Sequence, residues 1–226
     1  MTPEPIGEDA PHQGTPKDRV REVVSKINEV LKVKDSVREE VIKVTRDIIR
    51  YSGYVVTYIH LGKVDEAANE LWKCRELVRG LQEVIKDHPD IKYSGLVYNA
   101  LSEFAEASIL YSIVTSSNIP SHEDLGIHYV PYIQGLADVI GELKRLALNA
   151  VAKEELDKAF HYLELMDTIC DALKALDYPE ALIPGVKRKV DVGRKVTEDL
   201  RSLLIDIENR LKLRKALESH RGLVEK

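Results

Sequence analysis

Residues 93–120 carry only two charged side chains, Glu103 and Glu106, in a stretch of 28 residues. The whole chain is 31% charged, so about nine would be expected over this length. A surface helix places its charged residues on the solvent side, and this segment has almost none to place there. We therefore expect a helix that is buried on nearly all sides, in its own domain or in an oligomer.

The remaining apolar residues from Lys17 onward recur at helical spacing, interrupted at Gly62, at His88-Pro89 and at residues 177–179. This pattern predicts seven helices: one from residue 17 to a break at Asp35 or Ser36, then 36–61, 64–87, 90–115, 131–151, 154–176 and 185–217. Short connections and the lack of alternating β-branched runs predict an all-α, up-and-down seven-helix bundle. Residues 17–226 are expected to form a single domain, after a disordered, proline-rich acidic tail at 1–16.

Composition narrows the functional classes. The formal charge is −5, but the first 16 residues hold three acids and no base, so the remainder is near neutral. This excludes a generic polycation that coats nucleic acid by charge alone. Cys74 and Cys170 have no nearby His or Cys, which argues against a zinc motif or a disulfide framework and favours a reducing compartment. No apolar run approaches 18 residues, so we expect a cytoplasmic protein without a membrane span.

The candidate site consists of four carboxylates on two predicted helices: Glu103, Glu106, Asp138 and Glu142. The first two are three residues apart and share one side of the charge-poor helix. The last two are four residues apart, on the side of their helix opposite its apolar stripe, so they face solvent or an internal cavity. Gly135 and Gly141 beside them would let a neighbouring backbone or a phosphate approach closely.

The carboxylates favour a metal site. Burying them costs desolvation energy unless a positive group meets them, and a cation would do so. Carboxylates without His or Cys suit Mg²⁺ or Mn²⁺, which also bind phosphate and activate water. A ferritin-like di-iron site would need a His three residues after an acid, and neither Glu103 nor Asp138 has one. Alternatively, the acids lie on solvated helix faces, since such spacings are common.

Basic and aromatic residues follow one line along the second predicted helix: Lys43, Arg46, Arg50, Tyr54 and Tyr58. Such a strip would bind single-stranded nucleic acid, with phosphates on the cations and bases stacked on the rings. The alternative, which the sequence leaves equally open, is that the basic residues pair with acids at Glu39, Glu40 and Asp47. The tyrosines would then only border the core.

With the two acidic helices identified, the chain resembles the translin and TRAX family. PYIQGLADVIGELKRLALNAV, residues 131–151, is similar to the family's Tyr-x-x-Gly before an acidic helix that ends in Glu-Leu-x-Arg-x-x-x-Asn-x-Val. LSEFAEA is similar to Gln-Glu-Tyr-Val-Glu-Ala of TRAX, with Glu103 and Glu106 on its two acids. REEVIKVTRDI, residues 38–48, resembles the TRAX opening helix. The likeness covers most of residues 36–217.

The resemblance implies a seven-helix fold in a hollow octamer and a Mg²⁺-dependent endoribonuclease that cleaves single-stranded RNA, with the acids lining the interior. Translin, the RNA-binding partner, lacks the acid at the position of Asp138, whereas TRAX, the catalytic subunit, has it. This chain keeps the full acidic set, so it resembles the catalytic branch, as a prokaryotic or archaeal single-gene member.

Residue by residue, the resemblance implies metal ligation by Glu103, Glu106 and Asp138, with Glu142 as a fourth ligand or a close neighbour. Arg145, from the same motif, joins the expected RNA contacts. The particle would be a homo-oligomer or would include a translin-like partner subunit. Two alternatives stay open: a particle that holds single-stranded RNA or DNA without cutting it, and a helical scaffold for protein partners.

Overall fold

The computed structural model describes residues 15–115 and 118–224, with side chains as far as residue 218. Every regular element in this part of the chain is a helix: α1 (Pro16–His60), α2 (Val64–Ile85), α3 (Pro89–Lys92), α4 (Gly95–Val114), α5 (Tyr129–Ala152), α6 (Leu156–Lys174) and α7 (Val186–Val224). None of these helices has the length and apolar character needed to cross a membrane. The all-α, seven-helix prediction is confirmed. Most of the predicted tail, residues 1–14, lies outside the described residues.

Two predicted helix divisions differ from those in the structure, and α7 extends to Val224, beyond its predicted end at 217. The break at Asp35 or Ser36 is wrong, because α1 runs through both residues for 45 residues without interruption. A good capping residue begins a helix only where the preceding backbone stops being helical, and no Gly or Pro forces a stop there. In contrast, the helix expected from Asp90 is split into α3 and α4. Ser94 caps the start of α4, since its hydroxyl accepts a hydrogen bond from the Val97 amide at 3.4 Å.

The chain divides into two compact units, up to Glu40 and from Val41 onward. In the first unit, the described residues belong to the N-terminal part of α1. Its apolar stripe occurs where the periodicity predicts it, but large side chains such as Val20, Val24 and Leu31 are 56–63% exposed. The prediction of a single domain over 17–226 stays a prediction.

The second unit holds the core, with α4 at its centre. This helix packs against α5 and α2, while α5 also contacts α6 and α7. Buried side chains occur all round α4: Val97, Ala100, Leu101, Ser102, Phe104, Ala105, Ala107, Ser108, Ile109, Leu110 and Ser112. The segment with the fewest charges is therefore the most enclosed helix, as the sequence predicts.

The contact between α4 and α5 is closest at Gly135. A methyl group at this position would lie 2.4 Å from the Ser102 carbonyl oxygen and 2.9 Å from the Glu106 amide nitrogen. Only a residue without a side chain permits this approach of two backbones. The expected close approach of a neighbouring backbone is thus confirmed at Gly135. Gly141 is exposed, and a methyl group added there would have nothing within 4 Å.

Gly135→Ala and Gly141→Ala form a matched pair on the same helix. We expect Gly135→Ala to lower the free energy of unfolding by about 1–3 kcal/mol or more, because the added methyl group must push α4 away. Gly141→Ala should raise it by up to about 1 kcal/mol, since alanine favours the helix. Urea denaturation measures both values. Equal stability of the two variants would contradict the close approach at Gly135.

Candidate metal centre

The packing of α4 on α5 brings the four predicted carboxylates together. Glu103 and Glu106 lie on the side of α4 that faces α5, on the turn that approaches Gly135. Asp138 and Glu142 follow this glycine by one and two turns of α5. All four side chains are only partly exposed, and each glutamate of α4 is affected by the charges of both α5 acids. The two pairs therefore form one cluster, named here the acidic cluster.

Burial and mutual repulsion shift the titration of the two α4 carboxyls. Burial, with repulsion from Asp138 and Glu103, raises the pKa of Glu106 to about 8. Burial and the Asp138 charge also raise the pKa of Glu103. Desolvation and like charges both disfavour the ionised form of a carboxylic acid. The surroundings of Glu103 and Glu106 therefore favour the protonated, uncharged form of both carboxyls when no cation is bound.

The α5 half of the cluster is different, because its acids have cationic partners. The Lys189 ammonium donates a hydrogen bond to the Asp138 carboxylate. Lys189 lies in the first turn of α7, and about a third of each side chain in this pair is exposed to solvent. The same ammonium also lowers the pKa values of both Glu103 and Glu106, against the effect of burial.

Glu142 accepts a hydrogen bond from the Nε2 atom of His60. Arg145 lies one turn further along α5, with its guanidinium 3.8 Å from the same carboxylate oxygen. The His60 hydrogen bond lowers the pKa of Glu142 although the carboxyl is partly buried. His60 is the last residue of α1, its side chain is 4% exposed, and its Nδ1 atom is buried without a hydrogen-bond partner.

Neither His60 nor Lys189 was identified from the sequence as part of the site. The side chain of His60 is buried against Glu142. It is 82 residues from Glu142 along the chain, and Lys189 is 51 residues from Asp138, so no local spacing connects them. Gly62, with φ of +72°, follows the end of α1 at His60, so the helix stops where the sequence predicts.

The chemistry of the acidic cluster fits a hard divalent cation, because its donor atoms are carboxylate oxygens. Among the described residues, Glu103 and Glu106 form no ion pair that would compensate their charge. As the side chains lie, however, no three His, Cys, Asp or Glu residues in the described part of the chain are arranged to hold a metal ion. Asp138 is directed to Lys189 and Glu142 to His60. Metal ligation by all four acids would require both side chains to leave these partners.

The predicted nucleic-acid strip lies on the exposed side of α1, where its four main residues are solvent-accessible: Lys43, Arg46, Arg50 and Tyr54. The Arg50 guanidinium pairs with Asp47 at 2.9 Å and lies 5.1 Å from the centre of the Tyr51 ring. Local pairing, the alternative interpretation, therefore holds for Arg50. Arg145 is mostly exposed but lies beside Glu142, so it borders the acidic cluster rather than extending the strip.

The raised pKa of Glu106 predicts a pH-dependent stability in metal-free buffer. Between the ordinary carboxyl pKa of 4.5 and about 8, the folded protein keeps this proton and the unfolded chain loses it. The free energy of unfolding should therefore fall as the pH rises from about 5 to 8. Glu106→Gln removes this dependence, so the variant should match the unmodified protein near pH 5 and exceed it by roughly 1–3 kcal/mol at pH 8.

Denaturation curves at pH 5 and pH 8 measure this difference. Glu164→Gln provides the control, because it makes the same chemical change at an exposed position of α6. If Glu106→Gln and Glu164→Gln respond alike to pH, the carboxyl of Glu106 does not carry the perturbed titration.

Comparison with known proteins gives consistent matches. The family model described as Translin family matches residues 36–198. Uncharacterized protein MJ0175 of Methanocaldococcus jannaschii is 33% identical over 187 residues, which are 82% of each chain. The structure of the AfC3PO–duplex RNA complex has a TM-score of 0.76 and 28% identity over 83% of this chain and 97% of that one. Apo-NeC3PO, at 19% identity and a TM-score of 0.69, shares the fold. Since the family match spans well over half of its length, this chain belongs to the Translin family.

Proposed function

We propose that this protein is a Mg²⁺- or Mn²⁺-dependent endoribonuclease of the TRAX-like, catalytic branch of the family. The single observation that carries the proposal is the meeting of Glu103, Glu106, Asp138 and Glu142 in one half-buried cluster between α4 and α5. A buried group of carboxylates is costly unless a cation compensates it, and such a site is suited to phosphodiester hydrolysis. Asp138 is the member of the set that separates a nuclease from a translin-like binder.

In this proposal, Glu103, Glu106 and Asp138 hold the cation, and Glu142 is a fourth ligand or borders the site. The cation supplies charge neutralisation at the phosphate and lowers the pKa of a bound water. Hydrolysis joins the water oxygen to phosphorus, breaks one phosphorus–oxygen ester bond and protonates the leaving oxygen. The protein positions its carboxylates for this step: Gly135 fixes the distance between α4 and α5, and His60 orients Glu142 through its Nε2 hydrogen bond.

RNA is the proposed substrate class. AfC3PO, which is 28% identical to this chain over the aligned region, has a structure in complex with duplex RNA, and this supports RNA as a ligand. Single-stranded RNA is favoured for cleavage, since a flexible strand can enter a half-buried cluster more readily than a duplex. The exposed cations Lys43 and Arg46 on α1 would contact phosphates. The strip and the acidic cluster would then serve binding and cleavage separately.

The proposed working form is a cytoplasmic hollow homo-oligomer, an octamer by analogy with the family, with or without a translin-like partner subunit. The apolar stripe on the N-terminal part of α1 supports assembly, because Val20, Val24, Ile27 and Leu31 are each more than half exposed. Exposed apolar stripes of this length mark contact surfaces.

A second candidate function is RNA binding without cleavage. It is favoured by one observation: Asp138 and Glu142 are already compensated by Lys189 and His60, and no ligand cage is formed among the described side chains. In a binder, these ion pairs would stabilise the fold and the acids would have no chemical role.

Cleavage of labelled RNA distinguishes the two functions. The purified protein should cut single-stranded RNA with Mg²⁺ or Mn²⁺ and should not cut it in EDTA. Glu106→Gln and Asp138→Asn should each reduce the rate by about 100-fold or more, because each removes a charged ligand while keeping the side-chain shape. Glu164→Gln, at an exposed position, should keep full activity. Duplex RNA of the same sequence tests strand preference.

The outcome that supports the binder is salt-sensitive RNA binding without metal-dependent cleavage. Cleavage that survives both Glu106→Gln and Asp138→Asn would show that the acidic cluster is not the catalytic site. Cleavage in EDTA would contradict the proposed metal dependence.

Light scattering tests the assembly. The unmodified protein should be an oligomer, and Val24→Asp with Ile27→Asp should give a smaller species, because two charges cannot be buried in an apolar contact. Ser25→Asp adds a charge on the opposite side of the same helix and should leave the mass unchanged. Far-UV circular dichroism checks that the helices are intact. A monomeric unmodified protein would contradict the hollow particle.

A further inference from the structure

The packing of α7 on α5 places the backbone of Lys189 beside the acidic cluster. Lys189 lies one helical turn before Gly193, where a methyl group would lie 2.7 Å from the Cδ1 atom of Ile140 on α5. Val186 and Val190 on either side of it are buried. The first turns of α7 are therefore tightly packed on α5, and this packing brings the Lys189 ammonium to Asp138, two residues before Ile140.

The ammonium brings a positive charge directly to the acidic cluster, where it donates a hydrogen bond to the Asp138 carboxylate. His60 and Arg145 contact Glu142 instead, the first through a hydrogen bond and the second through an ion pair at 3.8 Å. Lys189 thus takes at Asp138 the electrostatic role that the proposed divalent cation would take.

The ammonium and a divalent cation oppose each other at Asp138. The two carboxylate oxygens have lone pairs enough for both groups, but two positive charges held within a few ångströms of each other repel, so each weakens the binding of the other. A lysine side chain is a flexible four-carbon stem, so it can leave without a change in the backbone. An open cavity of about 370 Å³, lined by Asp138, Gly141, Arg188 and Lys189 among others, gives the displaced side chain room.

We propose that Lys189 is a built-in counter-ion that competes with the divalent cation for Asp138 and moves into the adjacent cavity when the cation binds. This inference rests on the metal dependence in the proposed function. When no cation is bound, Lys189 neutralises part of the negative charge of the acidic cluster. The same charge lowers the affinity of the cluster for the cation.

Titration of Mn²⁺ into the EDTA-treated, RNA-free protein by isothermal calorimetry tests this role. Lys189→Met should bind Mn²⁺ about tenfold more tightly than the unmodified protein, because the competing charge is gone. Lys189→Gln, which keeps a polar side chain, should show the same direction. Lys187→Met is the matched control: it removes the same charge from an exposed position two residues earlier and should change the affinity by less than about twofold.

Thermal unfolding gives a second readout. Without metal, Lys189→Met should unfold at a lower temperature than Lys187→Met, since the acids lose their counter-ion, and saturating Mn²⁺ should remove this difference. Affinity of Lys189→Met and Lys189→Gln equal to or weaker than that of the unmodified protein would overturn the competition while leaving the metal site intact. If the unmodified protein and all variants bind no Mn²⁺, the proposed metal dependence fails, and this inference fails with it.

Discussion

The cost of keeping carboxylates out of water governs the centre of this protein. Glu103 and Glu106 lie on α4, the helix with the most complete burial, and among the described residues neither forms an ion pair. The unit from Val41 onward compensates them from a distance, through charges on other helices. Lys189 of α7 pairs with Asp138, and His60 of α1 pairs with Glu142. The four acids outnumber the basic groups that contact them, so the negative charge of the fully ionised cluster would be only partly compensated.

This balance depends on two close helix contacts, each made possible by a glycine. Gly135 lets α5 approach the backbone of α4 where the two glutamates project, and Gly193 lets α7 approach Ile140 of α5. The first contact brings the acids within range of one another. The second brings Lys189 to them. Close helix packing therefore produces the electrostatic strain of the cluster as well as its partial relief.

Membership of the Translin family gives these features a functional setting. The proposed nuclease and the alternative binder share the fold, the exposed basic residues of α1 and the exposed apolar stripe near its start. They differ in what the acidic cluster does: in the nuclease it gives up its internal partners to a cation, and in the binder it keeps them. The ion pair between Lys189 and Asp138 would therefore break in the nuclease when the cation binds, and it would persist in the binder.

Much of the fold could be predicted from local pattern. Helical periodicity identifies the helices, Gly62 ends the first of them, and the lack of charge over residues 93–120 identifies α4 as the central helix. The predicted break at Asp35 or Ser36 was wrong, because a capping residue permits a helix start but does not impose one. The break before α4 was not predicted, because a serine such as Ser94 does not by itself show that a helix starts after it.

The sequence by itself determined which carboxylates share a helix side, since residues three or four apart on a helix must do so. It also determined that α4 would be enclosed, because it lacks the charges needed for a solvated side. Only the tertiary structure decided which hydrogen-bond donors meet these acids. His60 and Lys189 are 82 and 51 residues away from their partners along the chain. Their contacts depend on how α1, α5 and α7 pack, which no local spacing encodes.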